Sequence, residues 1–439
     1  KAALLTAAHI LVYFSLHPLF GKRLRQGALP GILGWIGLTD DFQDKWSLFL
    51  YTIPSGFLSY YIYKLFLLPL LESPRFAKPL QTFAIHSAMI ITFTGATVEG
   101  LGGEEWKIPL GIALFFWHWL RLFMYHMDYL SGQVPKDLSL MSYLAIFFNP
   151  GAFPNWYWGA ATGQGYCYVT SRFYSKDKNQ LIWDGLKIWG WAIFYLAIGD
   201  WIKYSLVNVV RDFGIPVFWR LREMGCHFVD GGSVSLATVW ATTLFDQIKW
   251  FLLMAGVMHF KVGLWRICGY DVEPFLNRPW LATNIVNLWG RLTLHFRDFL
   301  IRCFYYPVFF RCFKKKPYLR IFAAVFAAAA VGNLVSGNMV RRLIHRGMEW
   351  KYIDELWVTW PHYFFLVLGI YISAVWLLKK KNKTRQPWTL DKKLPLDILA
   401  MAFTLQYYSL THIFFYRCSY STVWDNFRLF FVAFGIHIE

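Results

Sequence analysis

Charge is scarce in this chain and cysteine pattern is absent. Charged residues make up 16% of the 439 positions against 56% hydrophobic, too few to clothe a soluble globule in polar surface. The six cysteines stand singly at 167, 226, 268, 303, 312 and 418. With no CxxC and no paired spacing, neither a disulfide framework nor a zinc site is indicated, and they read as small membrane-core residues. The histidines show no metal-ligand spacing, so no metal is expected. No repeat of roughly 20–50 residues, low-complexity tract or soluble domain appears. Residues 1–439 therefore read as one polytopic membrane domain. The chain opens on Lys1 directly before an apolar run, so the native start is expected upstream.

What is present is a succession of apolar runs near the length of about 20 residues that a bilayer requires. Candidate spans lie at about 2–20, 46–71, 80–100, 107–125, 137–153, 181–209, 235–262, 318–340, 357–379 and 394–416, with a last one from 426. The expectation is an all-α integral membrane protein of about ten or eleven spans. The run 280–312 is interrupted by Arg291, Arg297, Asp298 and Arg302. A tilted or re-entrant segment inside protein suits it better than a lipid-facing helix, packed under the spans at 107–125 and 235–262.

A formal net charge of +18 would suggest nucleic acid in a soluble protein. Here the basic residues gather between spans, at Lys22, Arg23 and Arg25, at Lys314 to Lys316 and at Lys379 to Lys383. They read as cytoplasmic loops near anionic lipid, and nucleic acid is not an expected partner. A full crossing by 318–340 puts Arg341, Arg342 and Arg346 opposite the Lys314 cluster, so either that helix is re-entrant or this second basic cluster is not cytoplasmic. Aromatic residues reach 20%, which interfacial belts and helix packing absorb.

The motif-bearing stretch runs from Asn277 to Trp289, NRPWLATNIVNLW, followed by Arg291, Asp298, Tyr306 and Pro307. This order resembles the signature of the membrane-bound O-acyltransferase (MBOAT) family, NRPYLA, then FWRRWH or FWRRWN, RDY and YIP. Asn277, Arg278, Pro279, Trp280, Leu281 and Ala282 match its opening. Trp289 stands for the first Trp, Arg291 for the second Arg and Pro307 for the YIP proline. Weaker matches precede it in family order: Ile108–Phe116 (IPLGIALFF), Tyr125–Gly132 with Asp128, Tyr143–Phe153, Trp183–Ile188 and Gly269–Phe275. The core of the resemblance is about 105–380, with flanking helices at 1–100 and 390–439, and its nearest likeness is the bacterial branch that acylates polysaccharides and cell-wall polymers. It implies a multi-helix bundle with tilted or re-entrant segments around a central cavity.

It also implies an activated acyl donor, a thioester or a phospholipid, a hydroxyl acceptor, and a histidine base, with no bound cofactor. At the two histidine positions this chain departs from the family. Thr293 stands where the signature has His or Asn. Ser336, in Gly332–Gly337 (GNLVSG), stands where the second histidine falls, while an alternative alignment of Leu343–Trp350 places His345 there; Ser336 fits the family spacing after Pro307 better. His295, two residues beyond Thr293, and His362, after Trp360 and Pro361, complete the candidate bases. On a continuous helix His295 would share a face with Arg291 and point away from Thr293, so it could replace the missing base only where the backbone is irregular or the cavity is wide. Pro279 biases Arg278 toward an extended or turn conformation. The polar groups of 277–298 are costly at membrane depth unless they face one another or a wet cavity, and a cavity is the simpler expectation.

Two readings stay open. One is an O-acyltransferase with His295, His345 or His362 as base. The other is a catalytically degenerate MBOAT-fold protein that holds lipid or serves as a structural subunit of a membrane assembly, since Thr293 and Ser336 carry no group that accepts a proton at neutral pH. Membrane lipids are the expected partners in both, with protein partners added in the second. The location is a membrane, the inner or plasma membrane for a bacterial chain.

Overall fold

The structure is a computed structural model that describes residues 61, 64–65, 127–129, 131–134, 139–140, 143, 166–172, 175–267, 269–339, 357–380 and 394–438. The expected spans before 166 lie outside the described residues, or nearly so. The described residues are all-α, with no strand among them.

After the short α1 (Tyr166–Arg172) come α2 (Lys178–Asp212), α3 (Leu221–Val229) and α4 (Leu236–Ile267). Then follow α5 (Ile285–Arg291), α6 (Leu294–Leu300), α7 (Tyr306–Arg311), α8 (Pro317–Val325), α9 (Trp360–Lys380), α10 (Leu394–Thr411) and α11 (Val423–Val432). α8 continues in wider π-type turns over Phe326–Met339. Four helices are long and apolar enough to cross a membrane, Lys178–Asp212, Leu236–Ile267, Pro317–Leu334 and Trp360–Lys379. They match the expected spans 181–209, 235–262, 318–340 and 357–379, and the protein is an integral membrane protein. The expected span 394–416 is the eighteen-residue α10, whose Gln406, Ser409 and Thr411 face inward and make it less apolar. The last expected span, from 426, is corrected: α11 has ten residues, about 15 Å of helix, half a bilayer core.

The framework is the antiparallel pair α2 and α4. Asp177 caps α2 by accepting the Asn179 and Gln180 N–H groups at 2.9 and 3.3 Å. The inward residues of α2 are Leu181, Gly185, Ile188, Ala192, Tyr195 and Gly199, alternately four and three apart, the seam of a coiled coil. Small residues on this seam let the backbones touch. A Cβ on Gly185 would lie 2.7 Å from the Gly263 carbonyl oxygen, and one on Gly256 would lie 3.0 Å from that of Ala192. Two apolar helices in lipid associate through such contact, because lipid rewards packing and not burial alone.

α3, the start of α4, the end of α10 and α11 gather at one end around Leu221, Met224, Val239, Leu410, Ile413 and Leu429. Here the cysteine expectation is corrected. Cys226 and Cys418 form a disulfide across 192 residues, Cα to Cα 4.9 Å. At the other end, Lys176 and Arg266 both pair with Asp271, at 3.0 and 3.5 Å, and Arg172 pairs with Glu273 at 2.9 Å.

Candidate active site

The signature folds as two short helices held by a clamp. Asn284 caps α5, its side chain accepting the Asn287 N–H at 2.9 Å. α5 ends after Arg291, and Thr293 takes a left-handed conformation (φ 41°) before α6 starts. The Asn277 N–H donates to the Arg291 carbonyl at 2.9 Å, and the Leu294 N–H donates to that of Phe275 at 3.0 Å. These two bonds tie the incoming strand of chain to the break between α5 and α6. Arg291 reinforces the tie, donating from Nη1 to the Asn277 carbonyl (3.1 Å) and from Nε to Asn287 Oδ1 (2.8 Å).

Arg278 is also left-handed (φ 47°), so the expectation for the residue before proline resolves to a turn and not to an extended strand. That turn lays the Arg278 guanidinium over the Trp191 ring, 5.3 Å from its centroid. Buried Pro279 then starts a single 3-10 turn, Pro279–Leu281. Trp280 meets Tyr195 of α2 edge-on at 5.3 Å, and Tyr195 meets His259 of α4 at 5.2 Å. The signature thus docks on α2 and α4, as expected for the span 235–262, while 107–125 lies outside the described residues. Trp289 packs against the main core.

Of the two ways to accommodate so many polar groups, mutual bonding is what is seen at the clamp. Arg297 donates to the Gly290 carbonyl at 2.6 Å and pairs with the neighbouring Asp298 at 2.7 Å. Further along, Arg302 reaches buried Asp128 at 2.7 Å, and Asp128 also accepts the Cys167 N–H at 3.0 Å. Asp128 therefore joins the segment before α1 to the chain beyond α6.

His295 lies on α6, 2% exposed, its ring edge-on to Tyr168 at 5.4 Å and tilted against Phe275 at 6.4 Å. It hydrogen-bonds to the Glu273 backbone, with the Asp298 and Glu273 carboxylates in its surroundings. An unprotonated imidazole held there can accept a proton. The condition set by the sequence is met, since the Thr293 break uncouples His295 from the face of Arg291. The wide turns that carry Ser336 pack on α6 and on its continuation. A Cβ on Gly332, one turn before Ser336, would lie 2.7 Å from Leu300 and 3.0 Å from Phe304. The elements bearing the two departed family positions are therefore neighbours.

His362, near the start of α9, belongs to a different cluster. Its Nδ1 donates to the Thr411 carbonyl at 3.1 Å, and its ring lies 4.8 Å from His412, whose Nδ1 donates to the Tyr408 carbonyl at 2.9 Å. His412 gave no signal in the sequence, because its partner is distant in the chain. No ring contact joins His295 to His362 among the described residues. His345 lies outside the described residues, as does the Ser336 side chain. Among the described residues no group of three or more His, Cys, Asp or Glu could hold a metal.

Two known proteins match part of this chain. "Probable long-chain-alcohol O-fatty-acyltransferase 6" of Arabidopsis thaliana is 31% identical over 124 residues, covering 28% of this chain and 33% of the relative. "Probable long-chain-alcohol O-fatty-acyltransferase 9" of the same plant is 31% identical over 146 residues, 33% of this chain and 40% of the relative. The chain thus spans between a third and two fifths of the length of the curated relatives it matches. No family model matches it.

Proposed function

We propose that this protein is a membrane-embedded O-acyltransferase of the MBOAT type, with His295 as the base and the hydroxyl of a long-chain alcohol as acceptor. The observation that carries it is the buried His295 on the helix that opens at Thr293, beside the helix of Ser336. The matched stretches of two proteins named for fatty-acyl transfer to long-chain alcohols support the reaction class and favour a lipid alcohol over a polymer hydroxyl.

With an acyl thioester as donor, the imidazole takes the hydroxyl proton as the alcohol oxygen attacks the carbonyl carbon. The C–O bond forms, the C–S bond breaks, and the thiolate leaves with the proton returned by the imidazolium.

The test uses purified protein with a long-chain acyl thioester and either a long-chain alcohol or a polysaccharide, the ester being read by mass spectrometry. His295→Gln keeps the ring volume nearly filled and removes the base. It is expected to lower kcat about 10²-fold with the folded yield unchanged, whereas His362→Ala should leave kcat per folded molecule near the wild-type value. Unaltered turnover by His295→Gln would remove the base assignment. An ester formed only on the polysaccharide would restore the polymer-acylating branch, and no transfer to either acceptor would favour the degenerate reading that Thr293 and Ser336 suggest.

A further inference from the structure

The two ends of the bundle differ in covalent chemistry and in charge. At one end Cys226 of α3 is bonded to Cys418, beyond the end of α10, and the Tyr420 hydroxyl donates to Asp230 at 3.0 Å beside it. The start of α4 lies there too: Trp240 Nε1 donates to the Ala433 carbonyl at 2.7 Å, and the Phe218 N–H donates to Thr242 Oγ1 at 3.2 Å. The start of α9 is placed at the same end by the bond from His362 to Thr411.

Each of these helices leads to the other end. α4 finishes against the start of α2 through Arg266, Asp271 and Lys176. α9 runs about 30 Å away from the disulfide and finishes on Lys379 and Lys380, after which Lys381, Lys383 and Arg385 follow with no acid among them. At the disulfide end, by contrast, Arg211, Arg220, Arg222, Arg417 and Arg428 are mixed with Asp212, Glu223, Asp230 and Asp425, and the sequence leading into α9 mixes Arg341, Arg342, Arg346 and Lys351 with Glu349, Asp354 and Glu355.

We propose that the Cys226–Cys418 end faces an oxidising compartment, outside the cytosol, and that the end formed by the start of α2, the end of α4 and the end of α9 faces the cytosol. Two independent physical rules agree on this orientation. Disulfides persist in oxidising compartments and are rare in the cytosol, and loops rich in lysine and arginine stay on the cytosolic side. Forming the bond takes two electrons and two protons from the Cys226 and Cys418 thiols. The acceptor is the disulfide of a thiol–disulfide exchange partner in that compartment, which leaves as its dithiol. The orientation does not depend on the proposed reaction.

The test places single reporters at the two ends. In a background where Cys167, Cys268 and Cys312 are replaced by Ser and Cys303 by Ala, the bonded pair does not react with maleimides. Asn179→Cys, on the exposed first turn of α2, and Ser233→Cys, in the exposed loop before α4, are then treated in sealed, cytosolic-side-out vesicles with a membrane-impermeant biotin maleimide. Asn179→Cys should be labelled at once, and Ser233→Cys only after the vesicles are permeabilised. The opposite order, or labelling of both in sealed vesicles, overturns the orientation. The unaltered chain supplies a second readout that needs no substitution. After thiol trapping, peptides containing Cys226 and Cys418 should be recovered linked, and Asn382, in the sole Asn-X-Ser/Thr acceptor of the sequence, Asn382–Lys383–Thr384, should carry no glycan when the chain is made in a glycosylating membrane. Free thiols at 226 and 418, or a glycan on Asn382, also overturn it.

Discussion

Two side chains in the signature hold backbone conformations that cost them energy. A β-branched residue at positive φ crowds its own carbonyl, a cost of about 1–2 kcal/mol, and Thr293 occupies such a position at φ 41°. Its side chain makes no capping bond to α6, so nothing local offsets the cost; the clamp between 275–277 and 291–294 imposes it. Thr293→Gly should therefore raise stability by about 1 kcal/mol, the relief of crowding exceeding the added chain entropy. Thermal unfolding in detergent reads this, with Thr293→Ala as the comparison that keeps a Cβ and should show no gain. Equal or lower stability for the glycine variant would mean that the threonine contributes a contact worth more than the strain. At this scale the sequence named the signature residues and left open what they bond to. Arg291 was legible as a signature residue, and its bond to Asn287 is local, but its bond to the Asn277 carbonyl forms only when the chain folds back on that residue.

Among the elements, the α2 and α4 pair shows why helix existence is easier to read than helix orientation. Both were legible as apolar runs of sufficient length, within a few residues at each end. Which face turns inward was hidden, because α2 exposes Trp183, Leu186, Trp191, Ile193 and Phe194 on its outer side, and in lipid an apolar outer face is as acceptable as an apolar inner one. The small residues carry the missing signal: Gly185, Ala192 and Gly199 recur at a seven-residue spacing. Gly185→Ala inserts a methyl where 2.7 Å separates it from the Gly263 carbonyl and 2.8 Å from Ile267. Backbone cannot yield as a side-chain tip can, so a loss of about 1–3 kcal/mol is expected. Gly190→Ala, where a Cβ meets nothing within 4 Å, is the matched control on the same helix. Equal behaviour of the two variants in thermal unfolding would show that the helices do not touch along this seam.

For the molecule as a whole, the Cys226–Cys418 bond ties α3 to the chain beyond α10 across 192 residues. Closing a loop of that length removes conformations from the unfolded chain, so its loss should cost about 2–5 kcal/mol. Thermal unfolding in detergent of the oxidised chain and of a Cys226→Ala, Cys418→Ala double variant reads the difference; equal stability would mean that packing of α3 on α4 holds this end without the bond.

Length, apolarity and motif order were sufficient for an all-α membrane protein, for four of its crossing helices and for the position of the signature, because bilayer thickness and backbone desolvation act on each segment alone. The pairing of Cys226 with Cys418, the contact of His362 with His412, and the break that frees His295 from the face of Arg291 were decided by tertiary structure. Each joins groups far apart in the chain, or depends on a backbone turn imposed from outside its own segment. Local sequence carries no trace of that until α3 and α10 have packed on α4 and α9 on α10.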